Sequence, residues 1–99
     1  MRVLIVDDHT MVRESLVSVL QADGEVLVVA QAADGIEALE KAMQTRPDVV
    51  IVDLSMPRLG GVEVVRRLRE ALPATRVLVL TMHQEDEYVL QAVRAGASG

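Results

Sequence analysis

The chain has 99 residues, 51% of them hydrophobic and 25% charged, which is typical of one soluble globular domain. Ten basic and fifteen acidic residues give a net charge of −5, so the composition argues against direct contact with nucleic acid. Tyr88 is the only aromatic residue and cysteine is absent, which argues against base-stacking sites and excludes disulfides and cysteine-ligated zinc within the chain. No apolar run approaches the roughly 20 residues of a membrane span, and we expect a cytoplasmic protein without membrane contact.

Four short aliphatic runs mark the predicted strands. Each run is β-branched and continuous rather than alternating, as expected of strands that are buried on both faces of a parallel sheet. In chain order they are Val3–Val6, Val26–Val29, Val49–Val52 and Val77–Leu80. The segments between them have helical periodicity, so the sequence predicts the order βαβαβαβα and an α/β sheet with right-handed crossovers.

The first two helices are predicted from apolar spacing and from a capping signal. The residues expected on the inner face of the first helix are Val12, Leu16, Val19 and Leu20. Asp34 can cap the second helix, with Glu37 at the capping-box position. The residues expected to face inward from the second helix are Ile36, Leu39 and Met43. Pro47 then forbids continuation of this helix.

A third helix is predicted from about Gly61 to Ala71, and Pro73 follows its end. Its expected inner face comprises Val62, Val65, Leu68 and Leu72. The arginines interpreted as its solvated face are Arg66, Arg67 and Arg69. A fourth helix is predicted from near Glu85 to just before Gly96, because glycine is a C-terminal stop signal.

Acidic or hydroxyl side chains follow three of the four predicted strands. The acids are Asp7 and Asp8 after the first run and Asp53 after the third, and the hydroxyl is Thr81 after the fourth. Ligands of open parallel sheets collect at the carboxyl ends of the strands, so these side chains converge if the first and third strands are neighbours. Three adjacent carboxylates repel, so the cluster needs either a retained proton or a cation. Oxygen ligands without cysteine favour a hard cation, Mg²⁺ or Mn²⁺ as its substitute.

Each of these residues also has an ordinary structural interpretation. An aspartate after a strand is often a helix cap or a loop residue, and Thr81 is equally a candidate for a cap or a turn. The joint occurrence of the acids at corresponding strand ends is what favours a site. His9 and His83 are interpreted as loop residues rather than metal ligands, because Mg²⁺ prefers oxygen. A carboxylate beside such a cation can attack a phosphoryl group and form an aspartyl-phosphate.

The order and spacing of these motifs strongly resemble bacterial two-component response-regulator receiver domains over the whole chain. The resemblance is carried by Val3–His9, Val49–Pro57, Val77–Thr81 and Ala95–Gly99. It implies a flavodoxin-like three-layer α/β sandwich with a parallel sheet of strand order 2-1-3-4-5. The strings Tyr88–Ala92 and Arg94–Gly99 are most similar to the subfamily that carries a LuxR-type helix-turn-helix output domain.

The resemblance also implies roles for individual residues. Asp53 would be the phosphoacceptor, and Thr81 the switch hydroxyl that turns toward the phosphoryl group. Asp8 would ligate Mg²⁺ directly and Asp7 mainly through water, with Asp53 and the backbone carbonyl of Ser55 as further ligands. A sensor histidine kinase is the implied phosphodonor. A DNA-binding output domain in a longer chain would respond to the altered surface around the fourth helix.

The chain departs from the family pattern at its carboxyl end. A receiver has a fifth strand and a fifth helix, so residues 1–99 are expected to form a receiver domain truncated at its C-terminus. The family's phosphate-contacting lysine and the aromatic partner of Thr81 would follow Gly99, and Lys41 in the second helix cannot replace that lysine. Gly60 stands where many receivers have Asp or Asn, which leaves the third helix without an obvious side-chain cap. The uncovered edge of Val77–Leu80 raises the hypothesis of a homodimer.

Two other functions stay open on the sequence alone. Without the lysine and the aromatic residue, the chain would be a phosphorylation-independent interaction or dimerisation module. A Mg²⁺-dependent phosphatase of the haloacid-dehalogenase type also uses an aspartate nucleophile at a strand end, but Ser55 stands where its second acid is needed. On the leading interpretation the chain is a switch that catalyses only its own phosphorylation and dephosphorylation, rather than an enzyme that turns over a substrate.

Overall fold

Strands and helices alternate in the computed structural model, which describes residues 1–53 and 61–80. The elements are β1 (Arg2–Val6), α1 (Thr10–Ala22), β2 (Leu27–Ala32), α2 (Gly35–Thr45), β3 (Val49–Asp53), α3 (Gly61–Ala71) and β4 (Arg76–Leu80). The predicted alternation is confirmed for these elements, and the predicted fourth helix lies outside the described residues. None of the helices in these two ranges is long and apolar enough to cross a membrane.

The described strands form one parallel sheet in the order β2-β1-β3-β4. This order confirms the prediction for strands one to four, and it makes the first and third strands neighbours. Val6 pairs with Val52 at the carboxyl end of the β1–β3 ladder. Asp7, directly after β1, and Asp53, the last residue of β3, therefore lie side by side at the sheet edge where ligands of this fold collect.

The central strands β1 and β3 are buried on both faces, and their alternating side chains divide the core in two. One part packs against α2 and α3 and includes Leu4, Val6, Val50, Val52, Ala38, Ala42, Val64 and Leu68. The other packs against α1 and includes Val3, Ile5, Val49, Ile51, Leu16 and Leu20. Each fully buried aliphatic side chain stabilises the fold by about 1.5–3 kcal/mol. The helices thus cover both faces of the sheet, which confirms the predicted three-layer sandwich.

The predicted inner face of α2 is wrong in part. Ile36 and Met43 are 45% and 47% exposed, and Leu39 is only partly buried. Ala38 and Ala42 are fully buried instead, within the core that α2 shares with the sheet and with α3. Small side chains allow the helix to approach its neighbours closely. Apolar spacing alone predicts burial of isoleucine and methionine rather than alanine. The close packing of α2 buries the two alanines instead.

The cap predicted for α2 and the bounds predicted for α3 are confirmed. The Glu37 N–H donates to Asp34 Oδ1 at 2.9 Å, and Glu37 Oε1 accepts from the Ala33 N–H at 2.9 Å. The first bond satisfies an N–H group that the helix itself leaves without a partner, and the second satisfies the N–H of the residue before the cap. α3 spans Gly61–Ala71, and its predicted inner residue Leu68 is buried.

Two predictions about exposed segments are wrong. Val12 is 46% exposed, because only the later turns of α1, at Leu16 and Leu20, reach the core beneath the sheet. The second aliphatic run predicted a strand buried on both faces, but β2 spans Leu27–Ala32 and only Ala32 is fully buried. The reason is the position of β2 at the edge of the sheet.

Candidate functional site

Three aspartates and a histidine meet at the carboxyl edge of the sheet. Asp7 and Asp8 follow β1, and Asp53 ends the neighbouring strand β3. One ligand atom from each of these residues and from His9 lies within 4.8 Å of the others. Asp7 and Asp53 are buried, with 4% and 6% exposure, whereas Asp8 is partly exposed. The structure thus brings together the three carboxylates that the sequence predicted to converge.

Other residues singled out by the sequence lie outside the described parts of the chain. They are Ser55, Gly60, Thr81, His83 and Tyr88. The roles given to them stay predictions. Lys41 lies in α2, where its Nζ donates to the Gln31 carbonyl at 2.6 Å and is 3.8 Å from Glu37 Oε1. It therefore serves the contact between α2 and β2 rather than the acidic cluster.

Asp7 is held through its backbone and through its side chain. Its N–H donates to the Ala32 carbonyl at 3.0 Å, which extends the β1–β2 pairing one residue past the end of β1. Its Oδ1 accepts from the His9 N–H at 2.8 Å, and its carbonyl accepts from Arg13 Nη1 at 2.7 Å. A carboxylate constrained in this way keeps its ligand atom in a fixed place relative to the rest of the site.

His9 lies among the three carboxylates rather than apart from them. Its Nδ1 is 3.0 Å from Asp7 Oδ1, 3.0 Å from Asp8 Oδ1 and 3.8 Å from Asp53 Oδ2. The hydrogen bond with Asp7, and next the negative charge of Asp8, raise the pKa of the imidazole above its usual 6.5. When the ring is protonated, its positive charge offsets part of the repulsion among the carboxylates. His9 does precede α1 as a loop residue, and its direct adjacency to Asp8 is the signal that could have placed it in the cluster.

Asp8 provides the observation that tests whether a cation fits. Its Oδ1 is buried from solvent and accepts no hydrogen bond from any residue that the structure describes. His9 Nδ1 lies 3.0 Å from this oxygen, but the hydrogen bond of that nitrogen is with Asp7 Oδ1. A buried anionic oxygen without a donor costs free energy unless a cation reaches it. The carboxylates of Asp7, Asp8 and Asp53 fit Mg²⁺, which prefers oxygen, binds through one or two carboxylates and keeps several waters.

Sequence comparisons connect this geometry with known proteins. The family described as response regulator receiver domain matches residues 3–99. The chain is 41% identical over 100 residues to the oxygen regulatory protein NreC of Staphylococcus epidermidis. It is 40% identical over 98 residues to the uncharacterized transcriptional regulatory protein YxjL of Bacillus subtilis. These matches cover 100% and 99% of this chain but 46% and 45% of the relatives, so the chain spans about half the length of the curated relatives it matches.

Solved structures of similar chains have the same fold. A two-component response regulator of the LuxR family from Aurantimonas sp. SI85-9A1 superposes with a TM-score of 0.80 at 43% identity, over 99% of this chain and 70% of that chain. The isolated REC domain of RcsB from Salmonella enterica, solved in the presence of the phosphomimetic BeF₃⁻, has a TM-score of 0.78 at 28% identity. That match covers 97% of this chain and 71% of the other.

Proposed function

The chain belongs to the response regulator receiver domain family, and from this premise we propose that it is a phosphorylation-operated switch of a two-component system. The observation that carries the proposal is the meeting of Asp7, Asp8 and Asp53 at one sheet edge, with ligand atoms within 4.8 Å of one another. Such an arrangement suits the acceptance of a phosphoryl group by an aspartate beside a divalent cation. The similarity to a REC domain that was solved with a phosphomimetic supports this function.

Asp53 is the nucleophile in this proposal. One of its carboxylate oxygens forms a bond to phosphorus while the bond between phosphorus and the donor breaks, and the donor leaves with that electron pair. The donor is a phosphohistidine of a sensor kinase or a small acyl phosphate. The product is an acyl phosphate on Asp53, and the burial of this residue limits the access of water to it.

Asp7, Asp8 and Asp53 would hold Mg²⁺, or Mn²⁺ as a substitute, with the Ser55 carbonyl as a further ligand. When bound, the cation supplies positive charge that offsets the charge of the phosphoryl oxygens. We assign direct ligation to Asp8, because its buried Oδ1 accepts no hydrogen bond from the described residues. We assign water-mediated ligation to Asp7, because its Oδ1 already accepts from the His9 N–H at 2.8 Å.

The remaining parts of the switch are proposed from membership of the family. Thr81 is the hydroxyl that would turn toward the phosphoryl group and alter the surface around the predicted fourth helix. A sensor histidine kinase in the cytoplasm is the proposed phosphodonor, and a LuxR-type DNA-binding domain outside these residues is the proposed output. Since the chain modifies its own aspartate, we regard it as a switch rather than as an enzyme. A homodimer stays a prediction.

Incubation with Mg²⁺ and acetyl phosphate tests the proposal. We expect an acid-stable, base-labile phosphoryl adduct on the wild-type chain, detected by intact-protein mass spectrometry. Asp53→Asn should abolish the adduct, whereas Asp48→Asn, at the opposite end of β3, should leave it unchanged. Folded wild-type protein that forms no adduct would contradict the proposal and favour a phosphorylation-independent interaction module. Persistence of the adduct in Asp53→Asn would contradict the assignment of the nucleophile.

A further inference from the structure

We propose that Arg13 is a positioning residue of the acidic site, where it fixes the peptide unit that joins Asp7 to Asp8. The inference deepens the proposed function and rests on its cation site. Arg13 lies near the start of α1 and is half-buried. Its Nη1 donates to the Asp7 carbonyl at 2.7 Å, and its Nε donates to Gln31 Oε1 at 3.2 Å. A single side chain thus joins the acidic loop after β1 to the edge strand β2.

The Asp7 carbonyl is a sensitive point of attachment. It belongs to the peptide unit between Asp7 and Asp8, which is planar, so a bond to its oxygen also restricts the N–H and Cα of Asp8. On the other side, the Asp7 N–H donates to the Ala32 carbonyl at 3.0 Å. Arg13 and Ala32 therefore hold the backbone of Asp7 at both ends. Without Arg13 the Asp7–Asp8 peptide is freer to rotate, and both carboxylates lose their fixed relation to Asp53.

The guanidinium of Arg13 is itself held in place from β2. Gln31 pairs with Ile5 of β1, its side-chain oxygen accepts from Arg13 Nε, and its carbonyl accepts from Lys41 Nζ at 2.6 Å. The rigid, planar fork of an arginine lets two of its nitrogens act on two acceptors at the same time. The network thereby makes the geometry of the site depend on β2 and α2, which contribute no carboxylate to the described cluster.

Positioning and charge predict opposite effects on cation affinity. A guanidinium beside the acidic loop repels a divalent cation, so removal of its charge alone would tighten Mg²⁺ binding. Removal of its hydrogen bond to the Asp7 carbonyl would weaken Mg²⁺ binding, because the ligands are no longer prearranged. Residues that hold metal ligands in place typically contribute about 10–100-fold to metal affinity. The sign of the change in the Mg²⁺ dissociation constant therefore distinguishes the two roles of Arg13.

Isothermal titration of Mg²⁺ into the wild-type chain and its variants measures this constant. We expect Arg13→Gln to raise the Kd for Mg²⁺ by about 10-fold or more. Arg13→Lys should also raise it, because this variant keeps the repulsive charge and loses the fork that joins the Asp7 carbonyl to Gln31. Gln31→Leu should also raise it. The double variant, with both Gln31→Leu and Arg13→Gln, should bind Mg²⁺ no more weakly than Arg13→Gln alone, because both changes act through one guanidinium. Arg69→Gln makes the same charge change on the exposed face of α3 and should leave the Kd unchanged.

The outcomes separate this inference from the proposed function. An unchanged or lower Kd in folded Arg13→Gln would overturn the inference alone. If far-UV circular dichroism shows that Arg13→Gln does not fold, Arg13→Lys and Gln31→Leu test the inference instead. An unchanged Kd for Mg²⁺ in both of these variants would overturn it. A wild-type chain that binds no Mg²⁺ would overturn the inference together with the cation site. A wild-type chain that binds Mg²⁺ but forms no phosphoryl adduct would contradict only the proposed phosphoryl transfer.

Discussion

Removal of one carboxylate from the acidic site should stabilise the chain when no divalent cation is present. Asp8→Asn keeps the shape of the side chain and removes one of three negative charges whose ligand atoms lie within 4.8 Å of one another. At 4.8 Å, two unit charges repel by about 0.9 kcal/mol in a water-like dielectric and by about 3.5 kcal/mol at an effective dielectric constant of about 20. Asp8 takes part in two such pairs, one with Asp7 and one with Asp53.

The lower repulsion energy, that of a water-like dielectric, is the better estimate for Asp8. Its side chain is 27% exposed, so solvent reduces the repulsion. The comparison is made at a pH at which His9 is neutral, because Asp8→Asn would also remove the attraction to a protonated ring whose Nδ1 lies 3.0 Å from Asp8 Oδ1. We therefore expect Asp8→Asn to raise the free energy of unfolding of the metal-free chain by about 1–2 kcal/mol. For a domain of this size, that gain corresponds to a rise in Tm of about 5–10 °C.

Saturating Mg²⁺ should reverse the order of stability. A ligand at about 100 times its Kd stabilises the folded state by about 2.7 kcal/mol, and we expect the wild-type chain to gain this but Asp8→Asn to gain little. Urea unfolding followed by far-UV circular dichroism, in EDTA and in Mg²⁺, measures both effects. Glu40→Gln removes a charge from an exposed position on α2 and serves as the control. A metal-free Asp8→Asn that is less stable than wild type, or one that keeps the full gain from Mg²⁺, would refute the reasoning.

Other single substitutions test the surface charges, the backbone and the core. Hydrogen bonds from Arg66 and Arg67 lower the pKa of Glu63 to about 2. The stabilising effect of these bonds is therefore present above pH 4.5 and is lost as the pH falls toward 2. Glu63→Gln should therefore lower the Tm at neutral pH, and thermal unfolding should show that its difference from wild type disappears near pH 2. Arg46 has a φ of 45°, in the left-handed region that favours glycine. Arg46→Gly should therefore raise the free energy of unfolding, measured in urea, by about 0.5–1 kcal/mol, whereas Arg46→Ala should not raise it. Leu16 is 2% exposed, and Leu16→Ala should cost about 2–5 kcal/mol in the same assay, against less than about 0.5 kcal/mol for the exposed Met11→Ala.

The central strands of the fold are the part that the sequence predicts best. β1 and β3 agree with their aliphatic runs to within one residue at either end, because both strands are buried on both faces and every position needs an apolar side chain. β2 is harder to predict, since an edge strand leaves most of its side chains partly exposed and tolerates residues such as Gln31. Apolar runs report burial, and they do not indicate which strand lies at the edge.

The acidic site also has a part that the sequence predicts and a part that it does not. Asp7, Asp8 and Asp53 could be predicted, because the chain order of the strands decides which residues reach the carboxyl edge of a parallel sheet. The place of His9 in the cluster depends on the conformation of the turn between β1 and α1. The role that we infer for Arg13 depends on hydrogen bonds to the carbonyl of Asp7, six positions before it, and to the side chain of Gln31, 18 positions after it. Such a contact leaves no periodic signal in the sequence.

The core of the sheet also determines the geometry of the site. Val3–Val6 pair residue by residue with Val49–Val52, and alternate side chains of both strands pack on opposite faces. A shift of this pairing by one residue would bring side chains to the wrong face and would displace Asp53 relative to Asp7 by about 3.3 Å. That displacement is comparable with the 4.8 Å that contains the whole cluster, so a shifted register would disperse the ligands. The aliphatic strands therefore hold together three carboxylates that repel one another, and the free energy that does so comes from the core rather than from the site.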